Sequence, residues 1–391
     1  MNAFEILRFT KKYFPLVRPS NEDFEGYINN ILDEYQVLVN ESIELFDSEK
    51  FIDSGYIKLG REKFIDSFNF LTEAISAAIT LYLNGFPNRA FEKLNHAMSK
   101  IQYEDKSIEY LGGATIVGNG SYKFYRIRES DSKHTLSRSE LFHVPFSQRR
   151  KIHTKRYSIP GLPSLYLSDS IYVAWEELGR PKFDQIQAAR FELDKNFSIL
   201  SLTTEIYCKE DFLDTIINSS TINYGNEKTF SAYDRALQAV FMFPLILACS
   251  IKVNDNSDVF RPEYIVPQIL LQWITMNSRY QGICYTTSHI NFTNNNFEGN
   301  FRNYVIPSTQ RDSDYCSKIG RLFKMTEPIS AELVSLNEKT NIIQHASSQY
   351  ENAKVKSVEI INGQKSVYTY TKFASLDEAL SHLPATNIDF V

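Results

Sequence analysis

The chain has 391 residues, of which 43% are hydrophobic and 23% charged, a balance that is typical of soluble globular proteins. Its formal net charge is -5, so it lacks the basic footprint of proteins that bind long nucleic acid, and we expect no DNA partner. The length predicts two or three domains.

Cysteine usage and hydropathy favour a cytoplasmic location. The four cysteines lie far apart in sequence and none pairs at metal-ligand spacing, which predicts neither a disulfide framework nor a metal site. Charged residues interrupt the apolar positions at the start of the chain, so we expect no signal peptide. The most apolar segment, residues 236–251, is too short to span a bilayer and is expected to be a buried helix, so no membrane partner is expected.

The first part of the chain, residues 1–110, predicts a helical bundle. Apolar residues recur mainly at three- and four-residue steps over 25–46 and again over 64–83. The glycine and proline at 84–88 are typical of a helix end and turn, and another helix is predicted over 89–101.

Residues 120–330 predict one mixed α+β domain, which follows a glycine-rich linker at 111–120. Ser168, Asp169 and Ser170 offer side-chain oxygens that can cap the helix beginning at residue 171. The strands are predicted at 123–128, 164–167, 188–193, 197–202, 282–285 and 303–306, and the helices at 171–178, 233–249 and 261–276.

The tail, residues 331–391, is predicted to be a small C-terminal appendage. Two strands at 355–361 and 365–370 flank Asn362-Gly363, which is a hairpin signal. The run 375–378 has the form of a capping box that opens a last short helix. We therefore predict an α+β fold with a helical bundle, a mixed domain and this appendage.

Arg156, Tyr166 and Glu177 are the most informative residues of the chain, because they place a cation, a phenol and a carboxylate along a loop, a short strand and a helix. Taken singly, each type is more often structural: an arginine after a loop is usually solvated, a tyrosine on an apolar strand is usually core, and a helical glutamate usually faces solvent. Their neighbours decide between these interpretations.

The run 155–178 resembles the RES-domain family, which is named for its characteristic Arg, Glu and Ser. The matching positions are Arg156-Tyr157, Pro160-Gly161, Leu165-Tyr166-Leu167, Ser170, Ala174 and Glu177. Segments 125–128, 261–268 and 282–288 resemble the family's opening strand, a later helix and the segment that ends in its signature serine. The resemblance covers residues 120–330, with Lys155 in place of the usual glycine.

This resemblance implies a fold similar to ADP-ribosyltransferase toxins, and a toxin or defence effector that consumes NAD as its substrate and needs no other cofactor. Family members deplete NAD by hydrolysis or phosphorolysis and are often paired with an Xre-type antitoxin, whereas a minority transfer ADP-ribose to protein. The expected partners are therefore NAD, inorganic phosphate and an antitoxin or sensor protein, and a homo-oligomer is expected.

The chemistry of NAD assigns roles to the charged residues. Loss of nicotinamide leaves an oxocarbenium-like ribose, whose positive charge the carboxylate of Glu177 would stabilise. Arginine suits a pyrophosphate through its planar donors, so we assign Arg156 to this group, with Arg126 as a second clamp.

The polar uncharged residues would complete the site. Tyr166 can stack on a ring or donate its hydroxyl, and Tyr157 is predicted to contact NAD. A hydroxyl would bind the ribose or the nicotinamide amide; Ser288 matches by residue type, whereas Thr287 matches by its spacing from Gly282.

Other functions remain open from the sequence. Arg89 and His96 match the short Arg–His signature of HEPN-type nucleases, and residues 1–110 resemble a HEPN-like module in size and helical character, with RNA cleavage or regulation as the implied role. A domain that binds NAD or ADP-ribose without cleaving it is a further possibility. A Rossmann-type redox role is disfavoured, since no strand is followed by Gly-x-Gly-x-x-Gly.

Overall fold

The computed structural model describes residues 1–42, 61–101, 113–130, 134–208, 222–224, 228–230, 232–255, 257–277, 279–290, 297–337 and 354–391. Its α-helices are Ala3–Thr10 (α1), Phe24–Glu41 (α2), Arg61–Leu83 (α3), Pro87–Ser99 (α4), Arg138–Leu141 (α5), Ile171–Glu177 (α6), Glu205–Cys208 (α7), Ala232–Ser250 (α8), Ile265–Met276 (α9), Ser317–Gly320 (α10), Ala331–Asn337 (α11) and Lys372–Ser381 (α12). No helix in these ranges is both long and apolar enough to cross a membrane.

The strands of the described part begin after α4 and are interspersed with the later helices. They are Gly113–Ile116 (β1), Lys123–Glu129 (β2), Ser164–Ser168 (β3), Ile186–Leu193 (β4), Phe197–Leu202 (β5), Ile222–Tyr224 (β6), Lys228–Phe230 (β7), Gly282–Thr286 (β8), Glu298–Gly299 (β9), Arg302–Pro307 (β10), Phe323–Met325 (β11), Ile329–Ser330 (β12), Val355–Ile361 (β13), Gln364–Val367 (β14) and Thr386–Asn387 (β15). The predicted α+β class is thus confirmed.

Unit 1, one of two compact units, combines residues 1–114, 155–158 and 199–280. The predicted N-terminal helices are present as α2, α3 and α4, and they pack with α8 and α9. Tyr35 of α2 shows how the core is built, because its ring contacts Phe68 and Phe243 while its hydroxyl donates to the Val240 carbonyl oxygen at 2.9 Å. The end of the first predicted helix beyond residue 42 lies outside the described residues.

Unit 2 combines residues 115–154, 159–198 and 281–391. Packing therefore groups α8 and α9 with the N-terminal helices, although both follow the strands β2 to β5 in sequence. The predicted domains at 1–110, 120–330 and 331–391 are functional divisions of the sequence, whereas the two units are defined by packing. The predicted division therefore stays a prediction.

An antiparallel sheet forms the frame of unit 2, with strand order β8-β10-β3-β2-β4-β11-β15 and β12 paired to β4. Strands β2 and β4 pair along the whole of β2, from Lys123 to Glu129. Strands β2 and β3, in contrast, share the single pair of Tyr125 with Ser168, so these two neighbours diverge beyond that point.

Helix α6 follows β3 directly and packs into an apolar core with the tail of the chain. The Ser170 hydroxyl accepts from the Val173 backbone N–H at 3.2 Å, which confirms the predicted cap. The predicted hairpin is β13-β14, with Gly363 at a φ of 81° in its turn. The shared core contains Ile127, Ile171, Tyr172, Val173, Val355, Val358, Phe373, Leu376 and Leu380.

Three predicted element boundaries need correction. The hairpin's second strand ends at Val367, because residues 368–370 turn into a 3-10 helix. The last helix begins after Thr371, whose hydroxyl accepts from the Ala374 N–H at 3.4 Å, so Ser375 lies inside the helix and does not cap it. Helix α9 begins at Ile265, preceded by a 3-10 turn at Pro262–Tyr264.

Candidate active site

Glu177, the last residue of α6, is surrounded by hydrogen-bond donors in unit 2. Its Oε1 accepts from the Tyr285 hydroxyl at 3.1 Å. Its Oε2 accepts from Asn303 Nδ2 at 2.8 Å and from Thr287 Oγ1 at 3.3 Å. The side chain remains 31% exposed, so the carboxylate is both fixed by the protein and open to a ligand.

The sheet register explains why these side chains meet. Asn303 of β10 lies opposite Tyr285 of β8 on one side and opposite Ser168 of β3 on the other. Side chains of directly opposed residues project from the same face of a sheet, so this row of polar groups faces one way. Because α6 follows β3 directly, its last residue can return over that face.

His289 adds a titratable group beside the carboxylate. Its Nε2 lies 4.0 Å from Glu177 Oε2, and its side chain is 35% exposed. Of the described residues, it is the one cation-forming group within ion-pair distance of Glu177. When His289 is neutral, all the hydrogen-bond donors that contact this carboxylate within the described ranges are uncharged.

Glu176, the preceding residue, has a structural environment. Its side chain is 3% exposed, and both oxygens accept from the Arg180 guanidinium at 2.9 Å. Arg180 also packs over the Trp175 ring, 5.3 Å from its centroid. The two neighbouring glutamates are thus distinguished by their partners: one closes a salt bridge and the other lies at the site.

Tyr166 lies near both charged groups of the predicted site in unit 2. Burial raises the pKa of its hydroxyl, and the negative charge of Glu177 raises it further, whereas Arg126 opposes both effects. The Tyr166 hydroxyl therefore stays protonated and can act as a hydrogen-bond donor.

Arg126 occupies the place where β2 and β3 diverge. Its Nη1 donates to the Tyr166 carbonyl oxygen at 2.8 Å. In a fully paired sheet, a backbone N–H of the neighbouring strand would satisfy such a carbonyl; here the Arg126 side chain does so. Its Nε is buried without a hydrogen-bond partner in the described part of the chain. Burial, together with the positive charge of Arg128, lowers the pKa of Arg126 to about 9. A negatively charged ligand at this position would offset both the desolvation of the guanidinium and its repulsion by Arg128.

Arg156 and Tyr157 belong to unit 1. Arg156 is 8% exposed, and its guanidinium donates to the carbonyl oxygens of Cys249 at 3.1 Å and Ile251 at 2.9 Å. It also lies over the Tyr264 ring, 5.3 Å from the centroid. Arg156 thereby satisfies carbonyls at the C-terminal end of α8, and its predicted pyrophosphate role stays a prediction.

The two candidate hydroxyls differ in their placement. Thr287 is 2% exposed and contacts the Glu177 carboxylate directly, whereas the role of the half-buried Ser288 stays a prediction. Tyr285 and Asn303 were not predicted as site residues. A weak signal for Asn303 exists in the sequence, since this polar residue directly precedes the apolar run 304–306.

The nuclease-type pair lies on α4 of unit 1. Both Arg89 and His96 are exposed; Arg89 lies over the Phe86 ring, and His96 meets the Phe70 ring edge-on at 5.6 Å. RNA cleavage by this pair stays a prediction. Within the described ranges, no group of three or more His, Cys, Asp or Glu residues could hold a metal ion.

The chain is similar to a curated bacterial protein. The chain is 35% identical over 324 residues to the protein named "Putative toxin YopC" from Bacillus subtilis (strain 168), and the match covers 81% of this chain and 68% of that protein. No protein-family model matches the chain, and no solved structure gives a significant match.

Proposed function

Because the chain belongs to the family of the Bacillus subtilis protein named "Putative toxin YopC", we propose that it is a toxin, and that its unit 2 cleaves the bond between nicotinamide and ribose in NAD. The RES-domain resemblance supports this substrate. The observation that carries the proposal is the carboxylate of Glu177, which is partly open to solvent and is held by uncharged donors.

In the proposed reaction, the bond between the ribose anomeric carbon and the nicotinamide nitrogen breaks. Its electron pair leaves with nicotinamide, which departs as a neutral molecule. The ribose develops positive charge, which the carboxylate of Glu177 stabilises. An oxygen of water or inorganic phosphate then bonds to the anomeric carbon, and the proton released from the attacking group passes to Glu177 or to solvent.

The remaining polar groups of unit 2 bind the rest of the substrate in this proposal. Arg126 is half-buried, its Nε is buried, and it lacks a carboxylate at ion-pair distance in the described ranges. In this proposal it interacts with the pyrophosphate. Tyr166 donates its hydroxyl to the substrate or stacks on a ring, since its raised pKa keeps it protonated. Thr287 stays beside the ribose through its contact with Glu177.

Product analysis tests the proposal and separates its variants. The purified protein is incubated with NAD, with and without inorganic phosphate, and the products are resolved by chromatography. We expect nicotinamide in both cases if water is the acceptor, with ADP-ribose as the second product. Formation of ADP-ribose phosphate only when phosphate is added would select phosphorolysis, and labelling of a protein would select ADP-ribosyl transfer. Tight NAD binding without nicotinamide release would contradict cleavage.

A further inference from the structure

Asn303 lies between the site carboxylate and the sheet. Its Nδ2 donates to Glu177 Oε2 at 2.8 Å, and its Oδ1 accepts from the Ser168 hydroxyl at 2.6 Å. The three side chains form a chain of hydrogen bonds that begins on β3, passes through β10 and ends on α6. We propose that Asn303, oriented by Ser168, is a positioning residue that sets the carboxylate of Glu177 for catalysis, an inference that rests on the proposed function.

The hydrogen-bond pattern determines which way the Asn303 amide points. With its nitrogen toward Glu177, the amide donates to a carboxylate and accepts from the Ser168 hydroxyl. With the amide reversed, two acceptor oxygens would face each other at the short contact with the carboxylate, with no proton between them. The observed orientation is therefore the one that both neighbours favour.

Burial of Asn303 and Ser168 stabilises this orientation of the amide. Asn303 is 2% exposed and Ser168 is 4% exposed, so water cannot readily replace either partner. Rotation of the amide would leave buried polar groups without hydrogen-bond partners, which is unfavourable. The paired register of β10 and β3 also fixes the separation of the two backbones. Asn303 thus presents a rigid donor to the carboxylate.

The donors at Glu177 divide between its two oxygens. Tyr285 donates to Oε1, whereas Asn303 and Thr287 donate to Oε2, and the Asn303 contact at 2.8 Å is shorter than the Thr287 contact at 3.3 Å. Donors on both oxygens fix the rotation of the carboxylate, and a preorganised charge stabilises a developing cation without having to reorient. Removing the Asn303 donor would leave Oε2 with the longer contact.

The variant Asn303→Asp replaces the amide donor to Glu177 by an oxygen, with little change in the shape of the side chain. The new carboxylate still accepts from the Ser168 hydroxyl, but it faces Glu177 with an acceptor in place of a donor. Two carboxylates at this distance cannot both ionise easily, so protonation of the pair extends to higher pH. We expect kcat for NAD cleavage to fall about tenfold or more at neutral pH, with KM nearly unchanged.

The pH profile separates positioning from a general loss of structure. In Asn303→Asp, the acid side of the rate profile should move upward by about one pH unit or more. Ser168→Ala, which removes only the orienting donor, should lower kcat by roughly threefold without that shift. The control is Ser308→Ala, because the Ser308 hydroxyl is buried on the same segment without a partner in the described ranges and should leave the rate unchanged.

A second readout does not depend on turnover. Carbon-13 NMR of labelled glutamate, with the Glu177 signal assigned by its loss in Glu177→Gln, follows protonation of this carboxyl directly. A titration midpoint that moves to higher pH in Asn303→Asp but not in Ser308→Ala supports the contact even if NAD proves not to be the substrate. An unchanged midpoint in folded Asn303→Asp overturns the inference, whether or not the wild-type protein cleaves NAD.

Discussion

Two consecutive glutamates have opposite surroundings at the end of α6. Glu176 is 3% exposed and is bound by Arg180 through two hydrogen bonds, whereas Glu177 is 31% exposed and accepts from uncharged groups. We therefore expect loss of the Glu176 charge to affect mainly stability, and loss of the Glu177 charge to affect mainly catalysis.

We predict that Glu177→Gln lowers the rate of NAD cleavage by about 10² or more, because one preorganised charge is lost. Its unfolding midpoint should stay close to that of the wild type. Glu176→Gln is the matched comparison, and it should lower the free energy of unfolding by about 1–3 kcal/mol by weakening a buried charged contact. Steady-state kinetics and urea unfolding of both variants check the two expectations; equal losses of rate in both variants would contradict them.

The adjacent hydroxyls allow a similar comparison. Thr287→Ala removes a donor to the carboxylate and should lower kcat by about three- to tenfold, whereas Thr287→Ser keeps the hydroxyl and should retain most activity. Ser288→Ala measures the alternative assignment in the same assay. A larger loss from Ser288→Ala than from Thr287→Ala would identify Ser288 as the hydroxyl that the reaction uses.

At the residue scale, the sequence could predict only part of the candidate site. Short local sequence patterns identify Glu177, Tyr166 and Arg126 without knowledge of the structure. Tyr285 and Asn303 could not be assigned in the same way, because each lies in a buried strand and contacts the carboxylate only through the pairing of β8 with β10. Long-range register is not encoded in a local pattern.

At the scale of elements, Arg156 is tied to the end of a helix. The last carbonyls of α8 lack partners within the helix, and the guanidinium binds those of Cys249 and Ile251. A lysine has no planar fork and cannot reproduce both contacts together with the packing over Tyr264.

We therefore predict that Arg156→Lys lowers the free energy of unfolding by about 1–3 kcal/mol. Urea unfolding followed by circular dichroism measures this, and Arg150→Lys at an exposed position is the control. An unchanged unfolding midpoint combined with a raised KM for NAD would instead support the predicted role of Arg156 in binding pyrophosphate.

The longer helices and strands other than α1 were predictable from periodicity, whereas α1 and short elements such as β11 and β12 were not predicted. The error at the last helix has a local explanation. The final helix was predicted to begin at Ser375, since its sequence matches a capping box. In the structure Thr371 caps it, and the first turn brings Phe373 into the shared core with Leu376. The helix thus begins at the Thr371 cap with Phe373 in the core, and the pattern at 375–378 lies inside it.

At the scale of the whole molecule, the tail contributes a half-buried titratable group, Asp377, to unit 2. The Tyr368 hydroxyl donates to Asp377, whose other carboxyl oxygen is buried without a partner in the described part. Burial raises the pKa of Asp377 from 3.8 to about 7, against the opposing effects of Tyr368 and Lys354. The folded protein thus holds a proton that the unfolded chain releases near pH 4.

This shift predicts that the stability of the protein declines as pH rises from about 4 to about 7, since over that range the folded state binds more protons than the unfolded state. Asp377→Asn removes the titration and should be more stable than the wild type at pH 8, by about 1 kcal/mol or more, with a smaller difference near pH 4. Urea unfolding across this pH range measures the difference. If Asp377→Asn is less stable than the wild type by the same amount at pH 4 and at pH 8, the raised pKa of Asp377 is contradicted.

The most direct test of NAD cleavage by unit 2 is release of nicotinamide by the purified 391-residue chain. NAD labelled in its nicotinamide ring is supplied, and free nicotinamide is counted over time for the wild type and for Glu177→Gln at equal concentration. We predict steady release by the wild type and a rate lower by about 10² or more in the variant. No release by the folded wild type, with or without phosphate, would contradict the proposed activity.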